Sequence, residues 1–380
     1  MLLSFIAQSL DTKGIQCFYW ALFNAWIFPG IGEAVCHMVT LSIIVPTYNV
    51  EKYIGRCLAS LPCYREDIEI IVIIDGSKDN SCEIAKSYQA RFPNTIKVIE
   101  KENGHYGSCV NKGLSLAKGK YIKLLDADDY YSPSFVDYLD FLGTTDADVV
   151  LTDSIKVDEE EVPYDKYTFS FTPFKTLSMK DLIKSNVDLL HNYELTFRTQ
   201  MLIENNYRQS EHISYTDLEW SSLPFSVASS FVYAPINVYC YYIGRVGQSI
   251  DIEYRKKNMW MENKVVLGLA EKYEEIKDSI ETDNAILLKR FISSLVRQIY
   301  FHYLINYPSQ LNEDELSAFD RNLFEKSKDV YLSVDNVIDR RKFGTFYYIK
   351  DFRNNGTRDT LRYRFFDNCV RIGALLRNKK

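Results

Sequence analysis

Three carboxylates in four positions, Asp126, Asp128 and Asp129, follow the apolar run GKYIKLL and precede YYSP. Neighbouring carboxylates repel one another, and desolvation at the end of a buried strand adds to the cost. A hard divalent cation relieves both. Mg2+ and Mn2+ take oxygen ligands, often one or two carboxylates together with phosphate oxygens. Asp126 and Asp128 would both reach one metal–diphosphate unit if the chain bends between them. A solvated acidic loop, or a helix N-cap ahead of Pro133, explains an isolated Asp-x-Asp more economically, so the surrounding elements must decide. A second acidic pair, Asp217 and Glu219, stands beside Tyr215 and Trp220 in YTDLEW. It suits either a general base or a helix cap.

The elements that position these residues are legible in the hydrophobic pattern. LSIIVP (41–46), IEIIVIID (68–75), TIKVIEKE (95–102) and KYIKLLDADD (120–129) read as strands. The second is apolar on both faces, as a parallel strand covered by helices should be. Between them, 47–61, 76–92 and 107–119 carry helical spacing, with capping signals at Gly76-Ser77 and a closing Gly119. The alternation predicts an α/β, doubly wound, mostly parallel sheet. In such sheets a ligand sits beyond the carboxyl ends of the strands. Those ends here are PTYN (46–49), DGSKD (75–79), ENGHYG (102–107) and DADD (126–129), four polar segments converging on one rim. Further on, 146–157 reads as a strand, 158–195 as an irregular acidic and aromatic insert, 230–244 as a β-hairpin, and 259–306 as helical.

The formal net charge of −6 gives no reason to expect nucleic-acid binding. The charge is uneven, however. Residues 340–380 hold 12 Lys/Arg against 3 Asp/Glu, leaving 33 against 48 in 1–339. Such a basic, aromatic tail fits an anionic membrane surface, and it equally fits a tail folded back on the acidic body. Eight scattered cysteines without CxxC or zinc-ligand spacing read as reduced thiols of a cytosolic protein. Residues 14–32 carry no formal charge and are long enough to span a bilayer, but Asn24 and Pro29-Gly30 interrupt them. Two readings of 1–37 stay open: a membrane or docking helix, or sequence upstream of a true start at Met38.

LSIIVPTYNVEKYI, IEIIVIIDGSKDNS, ENGHYGSCVNKG and GKYIKLLDADDYYSP, in this order and spacing, resemble the family 2 inverting glycosyltransferases of GT-A fold that build bacterial surface polysaccharides. The resemblance covers roughly 41–155 strongly and 196–250 more weakly. It implies a nucleotide-diphosphate sugar donor, most often UDP-linked, and a glycan or lipid-linked acceptor. It also implies work at the inner face of the cytoplasmic membrane, with peripheral attachment through the tail. By this resemblance Pro46, Thr47, Tyr48 and Asn49 lie against base and ribose, and Asp75 hydrogen-bonds the base. Asn103, Gly104 and Asn111 fill polar donor-side positions. Asp126, Ala127 and Asp128 hold the ribose–diphosphate, with Asp126 and Asp128 on Mg2+ or Mn2+. Asp217 is the expected base, Glu219 its substitute, and Arg245 in GRVGQSI closes over the diphosphate. The family commonly carries two consecutive acids where this chain has Ile74-Asp75, which puts uridine specificity in question.

The expected organisation is an N-terminal extension (1–37), a GT-A domain (38–250, donor half 41–155 and acceptor half 156–250), a helical region (251–339) and the basic tail (340–380). A processive synthase is disfavoured, because no multi-span region and no QxxRW motif occur. Two rivals remain: a nucleotidyltransferase, and a non-catalytic nucleotide-sugar-binding partner of another transferase. PTYNVEKY is not the glycine-rich basic loop that the first of these usually carries.

Overall fold

The computed structural model describes residues 39–185, 187–244, 248, 251–335 and 347–365. The expectations for 1–37, for Arg245 and for 366–380 lie outside the described residues. The chain begins as the pattern predicts: β1 (Leu41–Thr47), α1 (Ile54–Ala59), β2 (Ile68–Asp75), α2 (Ser81–Arg91), β3 (Ile96–Lys101), α3 (His105–Leu116) and β4 (Tyr121–Leu124). There follow β5 (Tyr130–Tyr131), α4 (Phe135–Leu142), β6 (Val149–Val157), β7 (Pro163–Tyr167), β8 (Thr176–Ser178), α5 (Met179–Lys184), β9 (Leu195–Arg198), α6 (Thr199–Glu204), α7 (Asp217–Trp220) and β10 (Ser230–Tyr242). The C-terminal part is helical: α8 (Ile252–Ile276), α9 (Thr282–Phe301), α10 (Glu313–Lys326), α11 (Lys328–Ser333) and α12 (Tyr348–Asn355).

Among the described residues the strands form one sheet, ordered β3-β2-β1-β4-β9-β6-β10-β5, with β7 on β6 and β8 on β10. Strands β3, β2, β1 and β4 are parallel, whereas β9 runs antiparallel between β4 and β6. Period-two alternation sorts the side chains onto two faces. Ile43, Val45, Ile70 and Val72 pack with α1, α2 and α4 on one face. Ile44, Ile71 and Ile73 pack with α3 and α6 on the other. The sheet is therefore wound on both sides, and its strand ends are left as a rim.

Two segments differ from the sequence reading. The 230–244 stretch is one long strand, not a hairpin. Both halves of β10 pair in parallel with β6, with a register shift between Ala234 and Asn237. Pro235 lies in that shift, where a residue without an N–H cannot join a ladder, so the interruption is a bulge rather than a turn. Strand β4 also stops at Leu124, earlier than predicted, which frees 125–129 to bend.

The helical region shares its core with the sheet. In α9, Leu287 and Phe291 pack under the sheet. On the adjoining face of the same helix, Leu288, Ile292, Leu295 and Ile299 pack against α8 and α10. The tail's first part folds back onto these helices. Tyr348, Ile349, Phe352 and Tyr363 are buried there, and Arg353 reaches Asp320 at 2.8 Å and Asp335 at 2.6 Å. Among the described residues no helix is long and apolar enough to cross a membrane.

Candidate active site

The four strand-end segments do converge. They open onto a cleft of about 750 Å³ lined by Pro46, Thr47, Tyr48, Asn49, Asp75, Asn103, Asp126, Ala127, Asp128 and Asp217, among others. Each segment turns for a local reason. After β1, Asn49 adopts a left-handed φ of 51°, which asparagine tolerates. Its side-chain carbonyl accepts from the Lys78 N–H at 2.8 Å. This leaves Tyr48 half exposed at the lip. After β2, Gly76 has φ +70°, and a Cβ there would stand 3.1 Å from the Asn103 amide nitrogen. The close approach brings the β2 and β3 ends together. Asp75 Oδ1 accepts from Lys101 Nζ at 2.6 Å and from the Gly104 N–H at 2.9 Å. Asn103 donates to the Asp75 carbonyl at 2.9 Å.

The aspartate loop is held from several sides. Tyr106 donates its hydroxyl to Asp126 Oδ1 at 2.8 Å, and Asn192 Nδ2 lies 3.5 Å from Oδ2. Asp129 is 1% exposed and accepts from the Tyr239 hydroxyl at 2.6 Å and the Tyr242 N–H at 2.8 Å. Arg56 donates to the Asp128 carbonyl at 2.7 Å. Burial, and then the Asp128 charge, push Asp126 up to about 7. The same two causes push Asp129 well above the usual carboxylate range. Among the described residues no group of three or more Asp, Glu, His or Cys could hold a metal unaided. Two carboxylates that need phosphate oxygens to complete a shell suit Mg2+ or Mn2+ in that limited way.

Asp217 opens α7, whose Trp220 is fully buried against Phe197 and Tyr207. That anchor turns Asp217 toward the cleft. Burial raises its carboxyl, while His191 and Arg255 pull it down. Glu219, the substitute base, is not among the cleft-lining residues. Its carboxylate accepts from the Ser210 N–H at 2.7 Å and hydroxyl at 2.6 Å, so it braces a loop. Asn111 is likewise committed, donating to the Gln209 carbonyl at 2.9 Å and accepting from the Gln209 N–H at 2.8 Å. Gly104 contributes its amide to Asp75 and does not itself line the cleft. Neither of these two donor-side candidates is among the cleft-lining residues. Ile74 is buried in the sheet core.

Sequence reasoning missed Tyr106, Lys156, Tyr167, His191, Asn192, Tyr193, Tyr241, Arg255 and Glu262, all in the cleft lining. The signal for Tyr106 was present in ENGHYG. The 158–195 insert shows its purpose only in three dimensions. It returns His191, Asn192 and Tyr193 to the cleft, with the His191 and Tyr193 rings stacked at 4.9 Å.

Residues 42–203 match the family model described as glycosyl transferase family 2. The similarity to that family thus covers residues 42–203 of the 380. Poly(ribitol-phosphate) beta-glucosyltransferase of Bacillus spizizenii is 28% identical over 221 residues, 56% of this chain and 34% of that protein. Glycosyltransferase GlyG of Streptococcus pneumoniae is 36% identical over 124 residues, 32% of this chain and 41% of the relative. Six such curated relatives are covered over only 27–41% of their own length. The solved structure of TarS 1–349 from S. aureus in complex with UDP-GlcNAc aligns with a TM-score of 0.54 and 21% identity. That alignment covers 75% of this chain and 81% of TarS 1–349, and it shows a shared GT-A fold. The matched segment thus contributes β1 to β9, while α7, β10 and the C-terminal helices complete the cleft from beyond it.

Proposed function

We propose that this protein transfers a sugar, with inversion, from a UDP-linked donor to a hydroxyl of a glycan, polyol-phosphate or lipid-linked acceptor in cell-wall polysaccharide synthesis. One observation carries the reading: Asp126 and Asp128 from the donor half and Asp217 from the acceptor half line the same cleft. The relatives' names, a poly(ribitol-phosphate) glucosyltransferase and a minor teichoic acid biosynthesis protein among them, support the pathway class. The complexes of TarS with UDP-GlcNAc and with UDP support the donor class.

In this reading Tyr48 and Asn49 meet the base and ribose, and Asp75, preset by Lys101, accepts from the base. Asp126 and Asp128 hold the diphosphate end. Mg2+ or Mn2+ bound there would supply Lewis acidity that neutralises charge on the departing diphosphate. Asp217 takes the proton of the acceptor hydroxyl as its oxygen attacks the anomeric carbon and the bond to the diphosphate breaks. Burial keeps that carboxyl basic enough for the task, and its place on the acceptor side fits attack from the face opposite the leaving group. The basic tail is assigned to an anionic membrane surface on the strength of its charge.

The test is thermal unfolding with Mn2+ and each of UDP, GDP, CDP and dTDP, for wild type, Asp128→Ala and Asp217→Asn. A ligand at a hundred times its Kd stabilises the fold by about 2.7 kcal/mol. The expected result is a metal-dependent rise with UDP, lost in Asp128→Ala and kept in Asp217→Asn. Sugar transfer falls by about 10²–10⁴-fold in Asp217→Asn. No rise with any nucleotide refutes the donor site. Full turnover in Asp217→Asn refutes the base.

A further inference from the structure

The family model ends at residue 203, but the cleft continues. Helix α8 supplies Tyr254, Arg255 and Glu262 to its wall. Arg255 Nη1 donates to Glu262 Oε2 at 2.7 Å, and the two side chains are only 13% and 6% exposed. The same guanidinium lies 6.0 Å from the ring centroid of Tyr215, two residues before Asp217. Tyr215 has φ 67°, a left-handed conformation that a tyrosine keeps only where its surroundings enforce it.

The enforcing contacts come largely from α8. The Tyr254 ring meets Tyr215 edge-on at 6.4 Å, and the Tyr254 hydroxyl lies 3.2 Å from Ser214 Oγ. Met261 Sδ accepts from the Ser214 N–H at 3.4 Å. From the other side, His105 Nδ1 lies 3.3 Å from Ser214 Oγ, at the start of α3. The segment leading into Asp217 is therefore gripped between the donor-side helix and the C-terminal helices.

The charges facing Asp217 are mixed. His191 and Arg255 draw it toward the ionised form. Asp126, Glu219 and Glu262 oppose that. The hydroxyls of Tyr106, Tyr215 and Tyr241 complete the surroundings. Arg255 brings a guanidinium cation into this set. Its bond to Glu262 fixes where that charge sits.

We infer that Arg255 is a positioning residue for Asp217: from outside the family 2 segment it holds the Ser214–Thr216 loop and places a fixed positive charge against the base. The inference rests on Asp217 being the base. It also gives the helical region a direct part in the reaction.

The test uses the full chain with Arg255→Gln, Arg255→Lys and the double variant Arg255→Gln/Glu262→Gln, which leaves no orphaned carboxylate. Three quantities are measured: UDP release from UDP-GlcNAc with Mn2+ as a function of pH, the UDP-induced melting shift, and hydrogen exchange across 210–221. In Arg255→Gln, kcat is expected to fall at least ten-fold, with KM for UDP-GlcNAc and the UDP shift unchanged. The acid limb of the pH profile should move to higher pH, and exchange at 213–217 should accelerate. Arg255→Lys should restore the acid limb in part, and the double variant should regain wild-type melting without regaining the rate. Wild-type kcat in the double variant would overturn the inference, as would loss of the UDP shift in Arg255→Gln. If the wild-type protein itself neither binds UDP nor releases it, the functional reading fails instead. The exchange measurement then still decides whether Arg255 holds the loop.

Discussion

Lys123 is the charged residue at the centre of strand β4, and it is fully buried. Its ammonium donates to the Tyr193 carbonyl at 2.8 Å and the Leu195 carbonyl at 3.2 Å. These bonds tie β4 to the turn that carries Asn192 to Asp126. Burial pushes the ammonium down to about 7, against the pull of Glu194. A lysine whose folded pKa lies below its unfolded value loses its proton first in the native state. Between pH 7 and the unfolded value near 10.4 the unfolded chain binds more protons, so stability rises with pH by about 1.4 kcal/mol per unit. Below pH 7 the contribution is flat. Lys123→Met removes the titration and leaves two carbonyls without their donor, a pH-independent cost of about 1–3 kcal/mol. That cost cancels when each protein is compared with itself at two pH values. Urea unfolding at pH 7 and pH 9, followed by tryptophan fluorescence, should show wild type gaining about 2.3 kcal/mol over the variant, since at pH 7 the native lysine is already half deprotonated. With a slope near 2–3 kcal/mol per molar urea, this is about 1 M in the midpoint. Parallel shifts in the two proteins would refute the buried ammonium.

Two further outcomes follow from packing. A Cβ on Gly107 would stand 2.1 Å from the Ser210 carbonyl oxygen, which is backbone and cannot swing aside. Gly107→Ala should therefore displace the 209–216 loop and destabilise the protein by about 1–3 kcal/mol, and sugar transfer should fall more than UDP binding; equal activity with unchanged melting would contradict this. Truncation before Tyr347 would strip Tyr348, Ile349, Phe352 and Tyr363 from the helical core, at roughly 1.5–3 kcal/mol for each buried side chain, so it cannot report on membrane contact. Charge reversal at Arg371, Arg377 and Lys379 is the cleaner variant: vesicles containing phosphatidylglycerol should lose binding while melting is unchanged, and retained binding would retire the membrane assignment.

The donor half was legible because its signals are local. Each strand end carries its own turn residues, and the apolar runs of β1 and β2 announce burial on both faces. The acceptor wall was not, for a physical reason. Arg255 and His191 reach the cleft from elements far apart in the chain, and nothing at either position distinguishes a cleft residue from a surface one. Asp217 was preferred to Glu219 only by the resemblance, since both belong to one acidic turn. What separates them is Ser210, nine residues earlier, which satisfies one carboxylate and leaves the other to the cleft. The long β10 was misread because a proline between two alternating runs looks the same in a bulge as in a hairpin turn.

The three aspartates at the end of β4 are held in a way that explains their grouping. The hydrogen-bond donors to Asp126 and Asp129 are two tyrosine hydroxyls, an asparagine amide and a backbone N–H. All are neutral. They satisfy lone pairs of Asp126 and Asp129 and help fix the loop. Three other buried carboxylates meet cations, Asp75 with Lys101 at 2.6 Å, Asp153 with Lys166 at 3.1 Å and Asp148 with Arg198 at 2.8 Å, whereas Glu219 is bonded by the neutral Ser210 N–H and hydroxyl. Glu219, which braces a loop, shows that neutral donors also serve a structural acid, so a direct test is needed. Asn192→Lys tests the distinction, because it brings an ammonium to the position that now offers Asp126 an amide. A loop that merely tolerates its charge should be stabilised by the new cation and otherwise unaffected. A loop built to receive a metal–diphosphate should also be stabilised in the absence of divalent ions, but its Mn2+-dependent response to UDP should disappear. Retention of that response in the more stable variant would show that the carboxylates hold no cation.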